Sequence, residues 1–157
     1  MTREEKFMME AIRLSHHSMT NNEGGPFGCI VVKDDVIIGR GNNKVISSND
    51  PTAHAEVTAI RDACKNLGSF RLEDCEIYTS CEPCPMCLGA IYWARPKIVY
   101  FANTREDAAN IGFDDSMIYD EMVKELKHRK IPVRSIGRAK ALKVFEAWKQ
   151  KGDRTLY

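Results

Sequence analysis

The chain has 157 residues, of which 43% are hydrophobic and 29% are charged, and its formal net charge is +1. This length suits one domain with a full hydrophobic core and excludes two domains of ordinary size. No apolar run approaches the roughly 18–20 residues of a membrane span, and the first residues do not resemble a signal peptide. We therefore expect a cytoplasmic protein that forms one domain over residues 1–157 and has no membrane partner.

The predicted secondary structure alternates between helices and strands after an initial β-hairpin. Hydrophobic periodicity predicts helices over residues 3–20, 50–68, 88–94, 118–126 and 139–149, the second opened by Asp50-Pro51 and ended by Gly68. Runs rich in β-branched residues predict strands at 27–32, 36–40, 76–80, 97–102 and 132–136. Residues 42–49 and 103–115 are predicted as loops. This order indicates an α/β domain whose sheet is covered by helices on both faces.

Two short segments, thirty residues apart, carry the chemistry. The first reads His-x-Glu, at His54 and Glu56, and the second reads Pro-Cys-x-x-Cys, at Cys84 and Cys87. Two thiolates and one imidazole favour zinc, and three protein ligands leave a fourth position open for water, as catalytic zinc sites require. Glu56 would act as the acid/base group beside the metal. The combination is the signature of hydrolytic deamination of a nucleobase or nucleoside.

The local geometry of this site depends on where the helices begin. Pro85 suits a first helical position, which puts Cys84 at the helix N-terminus, where the helix dipole favours the thiolate. His54 and Glu56 are two residues apart and would point nearly opposite ways within a regular helix. They can face one ion only if the pair lies in the first turn.

Cys81 leaves an alternative open, because it forms a second Cys-x-x-Cys with Cys84. All three cysteines together with His54 would make a closed, four-ligand structural site without catalytic function. We place Cys81 at the end of a strand and expect it to stay off the metal.

The segment from 121 to 150 carries a local positive charge. It holds nine Lys and Arg residues against three acidic ones, a net charge of +6. A basic tail of this kind can serve an RNA substrate, but acidic residues interrupt it and aromatic residues do not interleave it. We interpret it as a solvated helix face and do not expect a nucleic-acid partner.

Four stretches of the sequence resemble the bacterial guanine deaminase branch of the cytidine and deoxycytidylate deaminase superfamily. They are residues 24–28, 48–61, 78–96 and 112–116, and the resemblance runs over nearly the whole chain. The zinc motif is common to the superfamily, whereas the Gly-Phe-Asp-Asp segment at 112–115 and the terminal Tyr157 are more specific. The resemblance implies a three-layer α/β/α fold around a five-stranded mixed sheet. It also implies a homodimer that exchanges a C-terminal segment of about residues 138–157.

Carried onto this sequence, the resemblance also implies the roles of individual residues. The zinc ligands would be His54, Cys84 and Cys87, and Glu56 would shuttle protons. The substrate would be held by Asn43, Asp115, Phe27, Ala55, Trp93 and Tyr157, the last two contributed across the dimer. The expected reaction is the hydrolysis of guanine to xanthine and ammonia, with one zinc ion per subunit. The same machinery acting on tRNA adenosine, cytosine, guanosine or an aminated triazine remains an alternative, as does a structural zinc module.

Overall fold

The computed structural model describes all residues from 1 to 157, and the chain divides into two compact units, Met1–Asp115 and Ser116–Tyr157. The first unit contains α1 (Arg3–Thr20), β1 (Gly28–Lys33), β2 (Val36–Asn42), α2 (Val45–Ser48), α3 (Ala55–Leu67), β3 (Glu76–Cys81), α4 (Pro85–Ala94), β4 (Ile98–Asn103) and α5 (Arg105–Asn110). The second contains α6 (Ser116–Val123), a 3₁₀ turn (Leu126–His128) and α7 (Arg138–Gln150). None of the helices has the length and apolar character that crossing a membrane requires.

The sheet is mixed and has the strand order β2-β1-β3-β4. β1 runs antiparallel to both β2 and β3, whereas β3 and β4 are parallel. Asp34 and Asp35 join the first two strands with φ of 48° and 63°. Two successive residues with positive φ form the turn that matches the twist of a hairpin, so the predicted hairpin is confirmed.

Side chains that alternate along β1 divide the core of the first unit into two halves. Cys29 and Val31 belong to the cluster that contains the buried residues of α3 and α4. Ile30 and Val32 belong to a second cluster, which contains the buried residues of α1. Since successive strand residues point to opposite faces, helices cover both faces of the sheet, and the first unit has the expected three layers.

Helix α3 packs unusually close to β2. Ala55, Ala59 and Ala63 recur every four residues on its buried face and are fully enclosed. A Cβ added to Gly41 would lie 2.3 Å from the carbonyl oxygen of Ala55, and one added to Gly39 would lie 2.5 Å from that of Ala59. Small residues on both elements therefore bring the helix backbone against the strand and fix its axial position.

The prediction of five strands is wrong, since the structure has four. Residues 132–136 form no strand. Pro132 has no N–H to donate to a ladder, and a strand exists only where a partner supplies the other half of each hydrogen bond. A β-branched run is therefore not sufficient to make one.

The prediction that Asp50-Pro51 opens the second long helix is also wrong. The Asp50 carboxylate instead accepts hydrogen bonds from the backbone N–H and the hydroxyl of Thr52, at 2.8 and 2.7 Å, and closes a turn. The helix starts at Ala55 and ends at Leu67, and the predicted terminator Gly68 is its C-cap with a φ of 65°. Asp and Pro favour such turns as much as helix starts, so the two are hard to tell apart. The predicted loops also contain the short helices α2 and α5.

The second unit has a single long helix, and none of its residues is buried. Val144, Phe145 and Trp148 lie on α7 and expose large apolar side chains. The predicted helices at 118–126 and 139–149 correspond to α6, which ends before Leu126, and to α7.

An ionic network attaches the start of α1 to the sheet. Arg3 Nη1 donates to Glu76 Oε2 at 2.8 Å, and Lys97 Nζ lies 3.1 Å from Glu76 Oε1. The Tyr78 hydroxyl donates to the same carboxylate at 2.6 Å. Burial by itself would raise the pKa of Glu76, but these three donors outweigh it and lower the pKa to about 2. The native fold therefore favours the ionised carboxylate.

Glu76→Gln tests this network by its dependence on pH. Since the folded pKa lies below the unfolded value, the stabilisation is full above about pH 4.5 and is lost as pH falls towards 2. We expect the variant to be less stable at pH 7 by roughly 1.5–3 kcal/mol, the range for a hydrogen bond to a charged group. Urea unfolding at pH 7 and pH 3 measures the difference, which should shrink at the lower pH. An equal difference at both values would contradict the ionic origin.

Candidate active site

Two helix N-termini meet at the candidate site. His54 is the N-cap of α3, with φ −70° and ψ 158°, and Cys84 is the N-cap of α4, with Pro85 in the first turn. Cys87 follows within the first turns of α4 and is fully buried. Unpaired N–H groups and the helix dipole give both termini a positive potential, which suits thiolate ligands.

The three predicted ligands have the spacing of a tetrahedral zinc site. His54 Nδ1 lies 3.5 Å from Cys84 Sγ and 3.5 Å from Cys87 Sγ, and all three donor atoms lie within 4.8 Å of one another. With Zn–S about 2.3 Å and Zn–N about 2.0–2.1 Å, tetrahedral geometry requires an N···S separation of about 3.5 Å. The donor set therefore fits zinc in both distance and chemistry.

The pKa values of the Cys84 and Cys87 thiols shift in opposite directions because the two groups interact. The hydrogen bond from Cys87 lowers the pKa of Cys84 to about 4, against the opposing effect of burial and with further help from His54. The pKa of Cys87 is raised in return, because its thiol donates to Cys84 and is itself buried. This arrangement holds one thiolate ready for a metal, and metal binding would release the second proton.

Glu56 lies beside the donor set without joining it. Its carboxylate is buried, with the residue 6% exposed, and Oε1 accepts a hydrogen bond from the Thr79 hydroxyl at 2.8 Å. Burial raises its pKa, while hydrogen bonds from its backbone, Thr79 and Cys87 act in the other direction. Two residues that are two positions apart within a regular helix point in nearly opposite directions. His54 precedes the helix and has an extended backbone, so this restriction does not apply to His54 and Glu56.

Cys81 is placed away from the three donors. Its Sγ lies 3.6 Å from the carbonyl oxygen of Thr104, and it does not belong to the group that can hold a metal. Burial raises its pKa to about 11, which keeps it a thiol. The structure thus has three ligands rather than a closed four-ligand site.

Phe27 and Asn43 are neighbours, and a backbone link connects them to the metal donors. The backbone N–H of Asn43 donates to the Phe27 carbonyl at 3.0 Å. The next residue, Lys44, donates from its N–H to the carbonyl of Ala53 at 2.9 Å, directly before His54. Asn43 is buried, with 5% exposure. The loop after β2 therefore forms one side of the site.

The loop around Asp115 reaches the site through an aromatic pair. The ring of Phe113 meets that of Phe27 edge to face, with centroids 5.0 Å apart. Asp115 is half-buried. Its pKa is raised, first by burial and to a smaller extent by the negative charge of Cys84. Asp114 is exposed. Of the two acidic residues, Asp115 is thus the less exposed. Sequence reasoning missed Phe113, although it stands in the Gly-Phe-Asp-Asp segment.

The other predicted substrate residues differ in their surroundings. Ala55 is fully buried as the first residue of α3. Trp93 is 66% exposed near the end of α4, and Tyr157 is an exposed residue of the second unit. Within the first unit, the structure thus brings together His54, Cys84, Cys87, Glu56, Ala55, Phe27, Asn43 and Asp115.

Residues 1–103 match the family described as the cytidine and deoxycytidylate deaminase zinc-binding region. The chain belongs to this family.

Among its relatives is the guanine deaminase of Bacillus subtilis (strain 168), which is 53% identical over 153 residues and 98% of both chains. The X-ray structure of the Bacillus subtilis guanine deaminase superposes with a TM-score of 0.95 over 98% of both chains. A tRNA-specific adenosine deaminase of Streptococcus pyogenes serotype M18 is 35% identical over 93% of this chain and 89% of its own. A solved structure of a protein in complex with 2,6-diaminopurine is 33% identical, with a TM-score of 0.68 over 71% of this chain and 62% of that one.

Single cysteine substitutions test the ligand set. We expect Cys81→Ser to retain about one zinc ion per chain, because its thiol is not a ligand. We expect Cys84→Ser or Cys87→Ser to lose most of the zinc, because each removes one of the three protein ligands. Metal content after dialysis, measured by inductively coupled plasma mass spectrometry, gives the answer. Loss of zinc from Cys81→Ser would contradict the three-ligand assignment.

Proposed function

We propose that this protein catalyses the hydrolytic deamination of guanine to xanthine and ammonia. The observation that carries the proposal is the buried carboxylate of Glu56 beside a three-ligand zinc site, in a chain 53% identical over its whole length to a guanine deaminase. The tRNA-specific adenosine deaminase of Streptococcus pyogenes serotype M18 is less similar, at 35% identity. A base is therefore a better substrate candidate than RNA.

The chain's own residues divide the work of this reaction. Zinc held by His54, Cys84 and Cys87 would supply Lewis acidity that lowers the pKa of water to about 7. Glu56 accepts a proton from the attacking water and passes it to the ring nitrogen beside the amine-bearing carbon. It then takes the proton of the hydroxyl group newly bonded to that carbon and gives it to the leaving amine as the C–N bond breaks. The Thr79 hydroxyl orients the carboxylate through Oε1. Burial keeps bulk water away from the transferred proton.

The base would be held by residues from three loops. Phe27 would lie against its face, and Asp115, which as a carboxylate can only accept, would face N–H groups of guanine. Asn43 would hold another edge of the ring. The raised pKa of Asp115, due first to its burial, is in keeping with a carboxylate in a partly enclosed site.

We also propose that the protein is a homodimer that exchanges a C-terminal segment of about residues 138–157, and that Trp93 and Tyr157 are both contributed to the partner's site. Apolar surface supports this proposal. In the second unit, α7 exposes Val144, Phe145 and Trp148, and in the first unit Tyr92 and Trp93 are exposed on α4. Large apolar side chains that are exposed in one chain are typical of a protein interface.

Sedimentation equilibrium tests the dimer. We expect a species of twice 17.8 kDa. Phe145→Asp should shift it towards the monomer, because a charge would be buried in an apolar interface. Met9→Asp, at an exposed apolar position on α1, is the matched control and should leave the mass unchanged. A monomer at all concentrations of the unchanged protein would exclude the exchange.

An ammonia-release assay tests the reaction. The zinc-loaded protein should release ammonia from guanine, and more slowly or not at all from guanosine, adenine, cytosine and a tRNA anticodon stem. Glu56→Gln should keep its zinc and lose activity by about 10²–10⁴-fold, since the amide cannot transfer protons. Metal analysis of the same sample is the control. Full activity of Glu56→Gln, or a preference for the RNA, would overturn the assignment.

A further inference from the structure

The side-chain amide of Asn43 is held in one orientation. Its Oδ1 accepts a hydrogen bond from the backbone N–H of Val45 at 3.1 Å. A backbone N–H can only donate, so the atom that faces it is the amide oxygen. The amide nitrogen, Nδ2, donates to no protein group and is not fully enclosed. Asn43 therefore offers a ligand a hydrogen-bond donor, although an asparagine in general can also accept.

Ser18 fixes the backbone of Asn43. It lies in the last turn of α1, is completely buried, and donates from its hydroxyl to the Asn43 carbonyl at 2.7 Å. The Asn43 N–H is already committed to the Phe27 carbonyl at 3.0 Å. Both backbone polar groups of Asn43 are thus tied to other elements, which leaves the residue little freedom to rotate.

Gly24 fixes the side chain of Asn43 by contact. A Cβ at this position would lie 2.0 Å from Asn43 Oδ1 and 2.8 Å from its Cγ. The preceding residue, Glu23, accepts hydrogen bonds from the N–H groups of Ile46 and Ser47 at 3.1 and 3.0 Å. These bonds hold the loop of residues 21–26 against the start of α2. Only a glycine allows this approach, so the amide is packed against backbone on one side.

We propose that Ser18 and Gly24 are positioning residues for base recognition, which hold Asn43 as a hydrogen-bond donor towards an acceptor atom of the purine. This inference rests on the proposed function, since Asn43 is assigned to the base there. Neither residue touches the metal donors or Glu56, so their contribution is to binding rather than to the chemical step. A donor that is already held in place avoids the free-energy cost of ordering a side chain when the base binds.

Ser18→Ala and Gly24→Ala test the positioning role. In the Glu56→Gln background, where turnover is slow enough for binding to be measured, we expect the dissociation constant of guanine to rise about 3- to 10-fold for Ser18→Ala, the effect of losing one hydrogen bond. In the active enzyme KM should rise by a similar factor while kcat stays nearly constant. Ser15→Ala is the matched control, since its hydroxyl donates at the same 2.7 Å to Ile12 within α1. Unchanged binding in both variants would overturn the proposal.

The polarity of Asn43 has a separate test that does not depend on those two variants. Asn43→Asp keeps an oxygen for the Val45 N–H but places a second oxygen where Nδ2 was. If Asn43 donates to the base, this variant should bind guanine more weakly than Asn43→Ala, because two acceptors would then face each other. Tighter binding by Asn43→Asp than by Asn43→Ala would show that Asn43 accepts, and the proposal would fail.

The activity on guanine and the positioning role of Ser18 and Gly24 have separate negative outcomes. If the unchanged enzyme releases no ammonia from guanine, the proposed function is wrong. If it deaminates guanine but Ser18→Ala and Gly24→Ala both match the unchanged protein in KM and dissociation constant, only the positioning role is wrong.

Discussion

The close contact between α3 and β2 is the constraint on which the site depends. Gly39 and Gly41 remove side chains from one strand face, and alanines remove bulk from the facing helix. The backbone of α3 can then contact β2 directly. Because this contact is close-packed, α3 has little freedom to slide or rotate. A helix fixed in this way also fixes its first turn. His54 and Glu56 owe their positions to that packing as much as to their own sequence.

The sequence predicts the parts of this fold that depend on local signals. The hairpin around Asp34 and Asp35, the periodicity of α1, and the Cys84-Pro85 start of α4 all follow from a few adjacent residues, and all are present. The sequence also indicates that His54 and Glu56 can face one ion only at a helix start. The structure places His54 at the N-cap of α3 and Glu56 in its first turn, although this helix does not begin at Asp50-Pro51. Three residues, 52–54, separate that dipeptide from the helix, and nothing local distinguishes a capping aspartate from one that closes a turn.

Features that depend on distant partners could not be predicted in the same way. Residues 132–136 have strand-like composition, but a strand is defined by its ladder and not by its own residues. Phe113 has no motif of its own, and its significance comes from an edge-to-face contact with Phe27. The assignment of Asn43 and Asp115 to the substrate likewise came from a resemblance, because Asn and Asp in loops are ordinary turn formers.

Most of the buried polar side chains lie near the candidate site, where they serve function more than stability. Ser18, Asn42, Asn43, Glu56 and Thr79 are all buried, and hydrogen bonds account for each of them. Burying such groups costs free energy even when they are paired, and an apolar side chain of similar size would often be less costly. These residues cluster around the metal donors and the loop that carries Asn43. These five therefore lie where a reaction requires fixed donors and a fixed proton carrier. The other buried polar side chains have structural partners, since Ser80 accepts from the N–H of Gly28 and Glu76 belongs to the ionic network with Arg3 and Lys97.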